Sequence, residues 1–212
     1  MAIVYPLTFP TIKQASAITW GGRSAVAVSV SVFSFVQQSQ RHQGQMWFGT
    51  VTFPPMERAD AAEFQAFLAS LNGREGTFNY GDPAAKTARG VATGTPLANT
   101  VGSPSTNLKR GQEFITDGWT ASQTGILKAG DYLQVGSGSG AHLHMNLTDQ
   151  NSDGSGNATF DLWPRLRENV ANNAVIVVAS PVGLFRLVSS EWSWTEQPGP
   201  LWSLAFDIAE AL

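Results

Sequence analysis

Alternation of large and small side chains with a period of two residues most limits what this chain can fold into. Valines occupy every second position from 26 to 32, and apolar side chains alternate again over 202–208. This period is typical of a strand with one buried face. Between 110 and 180, short apolar runs are separated by Gly, Ser, Asn and Asp turns. The sequence therefore predicts a mainly β fold.

The valine segment is predicted to form the first strand of a long hairpin. At Phe33 and Phe35 the large side chains move to odd positions, which indicates a bulge or a strand that changes sheets. The polar stretch 37–45 is interpreted as the hairpin tip, and 46–53 as the second strand. That strand ends before Pro54 and Pro55, because proline cannot donate to a ladder.

One helix is predicted, over about 60–72. Asp60 is expected to cap its start, with Glu63 closing a capping box. Gly73 is expected to end it in the left-handed conformation. Four large apolar residues at helical spacing form a single stripe: Phe64, Phe67, Leu68 and Leu71. This stripe predicts that the helix packs one face against a core.

The order of these elements predicts two β domains. Residues 1–90 and 181–212 are expected to form a β-sandwich with the helix and the hairpin, because the regular last strand can return to the first sheet. Residues 91–180 are expected to form an inserted, peripheral β-barrel or sandwich. The stretch 84–109 has few large apolar residues and is interpreted as the connection into this second unit.

Composition narrows the classes of function. Charged residues make up 14% of the chain, below the roughly 25% of typical soluble domains. An uncharged polar surface is cheaper to desolvate, which suits burial against partners. The net charge of -3 and the scattered basic residues argue against a nucleic-acid binder. The absence of Cys excludes disulfides and thiolate sites. Neither a membrane-spanning helix nor a signal peptide is expected.

Two segments resemble metal sites. Residues 149–154 match the opening of a calcium loop, but the twelfth position is Phe160 instead of a bidentate Glu. A hairpin turn is the favoured interpretation, since Asn, Asp and Gly favour turns for local reasons. His142 and His144 could seat Zn²⁺. The alternate residues of this strand are apolar and expected to point inward, so both histidines are interpreted as surface residues.

No catalytic constellation is apparent. The run 136–140 alternates Gly and Ser, but it lacks the strand-turn-helix setting of a nucleophile elbow and the lysine of a phosphate loop. The acidic pairs Asp117/Asp131 and Glu191/Glu196 have no pattern that would raise a pKa, which disfavours a glycosidase. The sequence predicts no catalytic residue, no cofactor site and no metal site, and hence no enzyme.

Trp192 and Trp194 lie two residues apart on one face of a predicted strand. An aromatic platform for a sugar is one interpretation. Packing in a core or in an interface is the favoured one, because Trp buries a large area and is enriched at interfaces.

Turn and packing motifs recur along most of the chain, including Gly81-Asp82-Pro83 and Trp163-Pro164-Arg165. They occupy residues 5–7, 23–29, 42–44 before Trp47, 54–61, 67–83, 128–132, 154–159, 163–167 and 181–187. Together these motifs resemble the distal tail (Dit-like) proteins of long-tailed, siphovirus-type bacteriophages. The stretch 84–109 and the run 136–140 contribute least to this resemblance.

The resemblance implies a structural role in the virion tail. Such proteins form a hexameric ring that continues the channel of the tail tube, built from a β-sandwich with one helix and a long hairpin, plus a peripheral domain. The implied partners are further copies of the chain, the tail tube protein, the hub or baseplate protein and the tape-measure protein. DNA would pass through the lumen without specific binding. Assembly would occur in the host cytoplasm, with no membrane partner and no cofactor.

Two other functions remain open at this point. One is a carbohydrate-binding module that contacts the host cell surface through the inserted domain. The other is a cell-wall hydrolase, which the missing catalytic constellation disfavours. The sequence does not fix the ring symmetry, the residues of the channel, or calcium binding at Asp149–Asp153.

Overall fold

A computed structural model describes residues 3–101, 106–199 and 201–212. In chain order the elements are β1 (Leu7–Thr8), β2 (Ala17–Val30), β3 (Gln37–Thr52), α1 (Arg58–Ser70), β4 (Phe78–Tyr80), β5 (Gly94–Ala98), β6 (Glu113–Trp119), β7 (Tyr132–Val135), a 3-10 turn (Gly138–Gly140), β8 (His142–Asn146), β9 (Ala158–Trp163), β10 (Ile176–Val177), β11 (Gly183–Leu187), β12 (Trp194–Gln197) and β13 (Leu201–Glu210). The predicted mainly β fold is confirmed. The described part of the chain contains no helix with the length and hydropathy needed to span a bilayer.

The strands form two sheets. The first has seven strands in the order β1-β4-β11-β13-β3-β2, with β12 also paired to β13. The second has six strands in the order β10-β7-β8-β9-β6-β5. Backbone hydrogen bonds of 2.9 and 2.8 Å join Ala98 to Ala174 and Asn173, next to β10, so the second sheet is a nearly closed barrel.

The second sheet lies within the chain segment that connects β4 to β11. Its strands run from Gly94 to Val177, and β13 returns to pair with β3 and β11 in the first sheet. The predicted return of the last strand is confirmed. The division into domains of 1–90 with 181–212 and of 91–180 stays a prediction.

One face of the first sheet carries a core that α1 covers. Val51, Phe206 and Ile208 point to this face and are buried. Phe64 of α1 is fully buried and its ring lies 4.3 Å from that of Phe53, centroid to centroid. The whole predicted stripe of α1 is buried: Phe64, Phe67, Leu68 and Leu71. Helical spacing of these residues therefore predicted the packing face correctly.

The predicted cap of α1 is wrong. The N-cap residue is Glu57, and its side chain makes no capping hydrogen bond. Asp60 lies within the first turn of the helix, where its carboxylate is 3.6 Å from Nζ of Lys13. An acidic residue also stabilises this position through the helix dipole, so the Asp60–Glu63 spacing does not distinguish a capping box from a first turn. The predicted left-handed end is displaced by one residue: Asn72, with a φ of 48°, is the first left-handed residue after the helix, and Gly73 follows with a φ of 68°.

The position of the hairpin tip is also wrong. The chain reverses over 31–36, and the polar stretch 37–45 forms the outer half of β3. Phe33 and Phe35 lie in this turn and not in a bulge or a sheet crossing. The register shift of the hairpin lies between Ser24 and Val26. Because the outer part of this hairpin covers no core, its strands can be polar and its turn can be apolar.

The stretch 84–109 is more than a connection. It contains β5, whose Ala98 is fully buried in the barrel. Asn107 is also buried, and its side chain donates to the carbonyl oxygens of Asn99 and Ile115 and accepts from the Ile115 N–H. β5 contains one large apolar residue and a proline, so its residues do not alternate clearly enough to predict a strand.

Candidate functional site

The outer part of the β2–β3 hairpin, residues 24–45, extends past the rest of its sheet; we call it the arm. β13 pairs with β3 only from Phe48 to Thr52, so beyond that point the hairpin has two strands. The two-stranded part from Ser24 to Val30 is about 20 Å long at a rise of about 3.3 Å per residue. The arm therefore leaves the body of the protein as a free ribbon.

One face of the arm is lined by valines. Val26, Val28 and Val30 share this face and are 50, 58 and 49% exposed. Their cross-strand partners Arg41, Ser39 and Gln37 lie on the same face, since directly opposed residues of an antiparallel pair point the same way. Every residue from 22 to 44 except Ser31 is exposed. The valine face thus has no partner among the described residues.

The tip of the arm is a compact apolar turn. The Ser31 N–H donates to the Val36 carbonyl at 3.0 Å, and the Phe35 N–H donates to the Ser31 carbonyl at 2.9 Å. These bonds hold Phe33 and Phe35 outward, where they are 96 and 78% exposed, while Val32 is 81% exposed. Large side chains presented this way, with the valine face below them, are typical of an interaction surface.

The arm has very few charged side chains. The arm contains a single Arg, Arg41, and no Lys, Asp or Glu, and the first acidic residue of the chain is Glu57. Natural sheet edges usually carry charges that prevent pairing with other chains. An isolated two-stranded hairpin is also marginally stable in water. The arm lacks such protection, which favours a role in which another surface covers it.

The root of the arm is held firmly. Trp47 is buried, and its Nε1 donates to the Leu143 carbonyl at 2.9 Å in the second sheet. Its backbone N–H donates to Oε2 of Glu210 at 3.0 Å. Glu210 is buried and forms an ion pair with Arg167 through both of its carboxylate oxygens. The arm therefore projects from a rigid base.

The second face of the first sheet carries small and polar residues. Thr19, Thr50 and Asp207 lie on this face, and the Thr50 hydroxyl donates to Asp207 Oδ1 at 2.6 Å. Its large apolar residue Phe48 is 38% exposed and lies under the Arg23 guanidinium, 5.6 Å from the ring centroid. The residues of this face are polar enough for the face to be in contact with water.

The interpretation of both histidines as surface residues is wrong. His144 is buried and its Nδ1 donates to the Pro164 carbonyl at 2.6 Å, while burial lowers its pKa to about 3. His142 is partly buried, and its Nε2 lies 3.1 Å from Oε1 of Glu168. β8 has the first-sheet core on one face and the barrel on the other, so alternation could not show which residues face water. The described residues contain no cluster of three or more metal-ligating groups.

The turn interpretation of 149–154 agrees with the geometry. Asp153 Oδ1 accepts the N–H groups of Ser155 and Asn157, each at 2.8 Å, and its Oδ2 accepts from the Asn157 side chain at 2.9 Å. These hydrogen bonds lower the pKa of Asp153. Asp149 Oδ1 accepts the Ala129 N–H at 2.8 Å. The carboxylates therefore hold the loop through local hydrogen bonds.

Asp131 and the Gly/Ser run 136–140, the other polar candidates, stabilise the local backbone. Burial alone would raise the pKa of Asp131, but backbone N–H groups of Lys128, Arg89 and Gly90 and the Arg89 side chain lower it below its usual value. The last three residues of the Gly/Ser run 136–140 form the 3-10 turn Gly138–Gly140, beside a cleft of about 150 Å³. That volume is below the roughly 300 Å³ of small ligand pockets.

The two tryptophans differ in exposure. Trp192 packs partly against the first core, whereas Trp194 on β12 is 47% exposed, and their ring centroids are 5.5 Å apart at 31°. Glu191 and Glu196 beside them are exposed. The favoured packing role fits Trp192, and Trp194 remains available to a partner.

Comparison of the chain with models of known protein families and with curated proteins gives no match. The resemblance to distal tail proteins therefore stays a prediction. The features that sequence reasoning missed are the apolar tip at Phe33 and Phe35 and the contacts at the root of the arm. The tip contains no Gly, Pro, Asn or Asp, and its turn residues are serines: the Ser31 hydroxyl accepts the N–H groups of Phe33 and Ser34, each at 3.4 Å.

Proposed function

We propose that this chain is a structural protein of a phage tail tip that forms a ring, joins the tail tube to the hub or baseplate, and continues the DNA channel. The observation that carries the proposal is the arm, whose valine face and apolar tip have nothing to pack on among the residues that the structure describes. Subunit assembly would cover it. No step of this function requires a catalytic group.

A ring requires the arm of one subunit to pack on a different surface of the next copy, which is a heterologous contact. Such contacts form closed rings when the rotation between copies closes. A stable contact buries about 1,000 Å² or more in total, and an arm about 20 Å long with two exposed faces contributes a large part of that area.

The second face of the first sheet suits a channel wall. Its small and polar residues, with Phe48 shielded by Arg23, offer DNA neither an apolar patch nor a basic groove. Nucleic-acid affinity depends mainly on clustered Lys and Arg, so DNA would pass without being held. The tail tube, hub and tape-measure proteins are the proposed partners, in a virion tail assembled in the host cytoplasm.

Native mass spectrometry of the purified chain, with negative-stain imaging, tests the proposal. We expect closed rings, six copies being the number implied by the resemblance, and we expect an arm-shortened variant that joins Ser24 to Gln45 through a Gly-Ser turn to remain a folded single chain. Rings that persist without the arm would contradict the proposal. So would an intact chain that stays single both alone and with tail tube and hub proteins.

A carbohydrate-binding role is the second candidate. The exposed Trp194, with Trp192 beside it, is the observation that favours it. A glycan array with the full chain and with Trp194→Ala distinguishes the two functions. Specific binding that the substitution abolishes, in a chain that forms no ring, would favour this second candidate.

A further inference from the structure

The second sheet contacts the arm through a short segment at the end of β9. The segment 163–167, which begins at the last residue of β9, reaches across to the part of the hairpin that lacks a pairing partner other than its own second strand. We propose that this segment is a positioning clamp, which fixes the direction in which the arm leaves the first sheet. The clamp is a property of one chain and does not depend on ring formation.

Trp163 forms the first contact of the clamp. A Cβ placed on Gly22 would lie 2.2 Å from Cη2 of Trp163, so the indole rests directly on the glycine backbone. The same ring packs edge-on against Trp47, with centroids 4.4 Å apart at 85°, and its Nε1 donates to the Ser24 hydroxyl at 3.3 Å. A side chain larger than hydrogen at position 22 would displace the indole.

Arg165 forms the second contact. Its backbone N–H donates to Oε1 of Gln45 at 2.8 Å. Its guanidinium donates at 3.2 Å to the Arg110 carbonyl and at 3.2 Å to Oε1 of Gln112, which ties it to the start of β6. The hydrogen bond from Arg165 therefore connects the barrel to the second strand of the arm.

Arg167 forms the third contact, through Glu210. Glu210 accepts from the Arg167 guanidinium and from the Trp47 N–H at the same time. Three successive odd-numbered residues of one segment thus hold both strands of the hairpin and the end of β13. Packing of the barrel alone would not require polar contacts to both strands.

The clamp ends where the register of the arm changes. Ser24 pairs with Gln45, and the next register position joins Val26 to Arg41, so Ala25 faces the three residues 42–44. A bulge of this kind bends a ribbon and increases its twist. The clamped pair is the last one before the bulge, and the exposed remainder of the arm follows it. The clamp and the bulge together set the angle of the arm.

Spin-label distance measurements test the clamp on single chains. The chain has no Cys, so labels at Ser34→Cys on the tip and Thr124→Cys on the barrel are the only ones. The labelled chain carries Phe33→Ser and Phe35→Ser and is measured in dilute solution, so that it remains single. We expect a narrow tip-to-barrel distance distribution in this chain.

Two clamp variants and a control decide the result. Trp163→Ala should abolish the narrow peak, and Gln45→Ala, which removes one partly buried acceptor and little packing, should broaden it. Trp192→Ala removes a partly buried indole elsewhere in the first core and should leave the distribution unchanged. A distribution that is broad before substitution, or is the same in the reference chain and in Gln45→Ala, would overturn the proposal. Ring formation is not part of this readout.

Discussion

Replacing the two tip phenylalanines by serine, as Phe33→Ser with Phe35→Ser, separates assembly from folding. In one chain these side chains are 96 and 78% exposed and support no core. Surface substitutions of this kind change the free energy of unfolding by about 0.5 kcal/mol or less. The single-chain melting temperature should therefore hardly change.

The same change should weaken assembly strongly. Burying an exposed Phe contributes about 1.5–3 kcal/mol, so two of them contribute about 3–6 kcal/mol to each arm contact. At about 1.4 kcal/mol per tenfold, the dissociation constant of each contact should rise roughly 10²- to 10⁴-fold. Ordering of the arm on binding opposes association in the natural chain and in the variant alike, so it does not change this ratio.

Sedimentation velocity over a concentration series, together with thermal melting, measures both effects. Val188→Ser is the matched control, since Val188 is 45% exposed and lies outside the arm. We expect the control to assemble like the natural chain. Unchanged assembly of the double variant, or a fall in single-chain stability as large as the loss of assembly, would refute the reasoning.

Four further outcomes are expected. Phe64→Asp places a charge at a fully buried position, so it should cost about 4 kcal/mol or more and abolish the cooperative transition in circular dichroism; a native-like melt would count against the helix packing. Arg167→Met leaves the Glu210 carboxylate buried and unpaired, so urea titration should show a loss of about 3–5 kcal/mol. Burial lowers the pKa of His144 to about 3, below its value of about 6.5 when unfolded, so its contribution to stability is complete above pH 6.5 and is lost as the pH falls toward 3. His144→Phe should accordingly flatten the urea midpoint between pH 7 and pH 5. Calorimetry with Ca²⁺ should show no saturable heat, because the Asp153 carboxylate already accepts hydrogen bonds from its own loop.

Regular periodicity predicted the parts of the fold that have one buried face. The stripe of α1 and the alternation of β13 each identify a side that packs on the core of the first sheet. The sequence could not identify the face of His144, because β8 is covered on both sides. An alternation with a period of two then does not show which side chains are exposed to solvent. Asp60 fits two positions at a helix start equally well, so its spacing could not decide the cap.

The candidate site was only partly predictable. The valine alternation predicts the hairpin. Its tip is predicted at the polar stretch 37–45, because turns are usually polar. That rule holds where strands cover a core, and the arm has none. The contacts of Trp163 with Gly22 and Ser24 join positions about 140 residues apart, and no local pattern encodes them.

Thiol labelling of the arm tests the central claim most directly. A chain with Val28→Cys, and a second with Ser34→Cys, would each be labelled as single chains and again in assembled tail tips. The account predicts rapid labelling of the single chains and strong protection after assembly, because neighbouring subunits then cover the valine face and the tip. Equal labelling rates in the two states would contradict it.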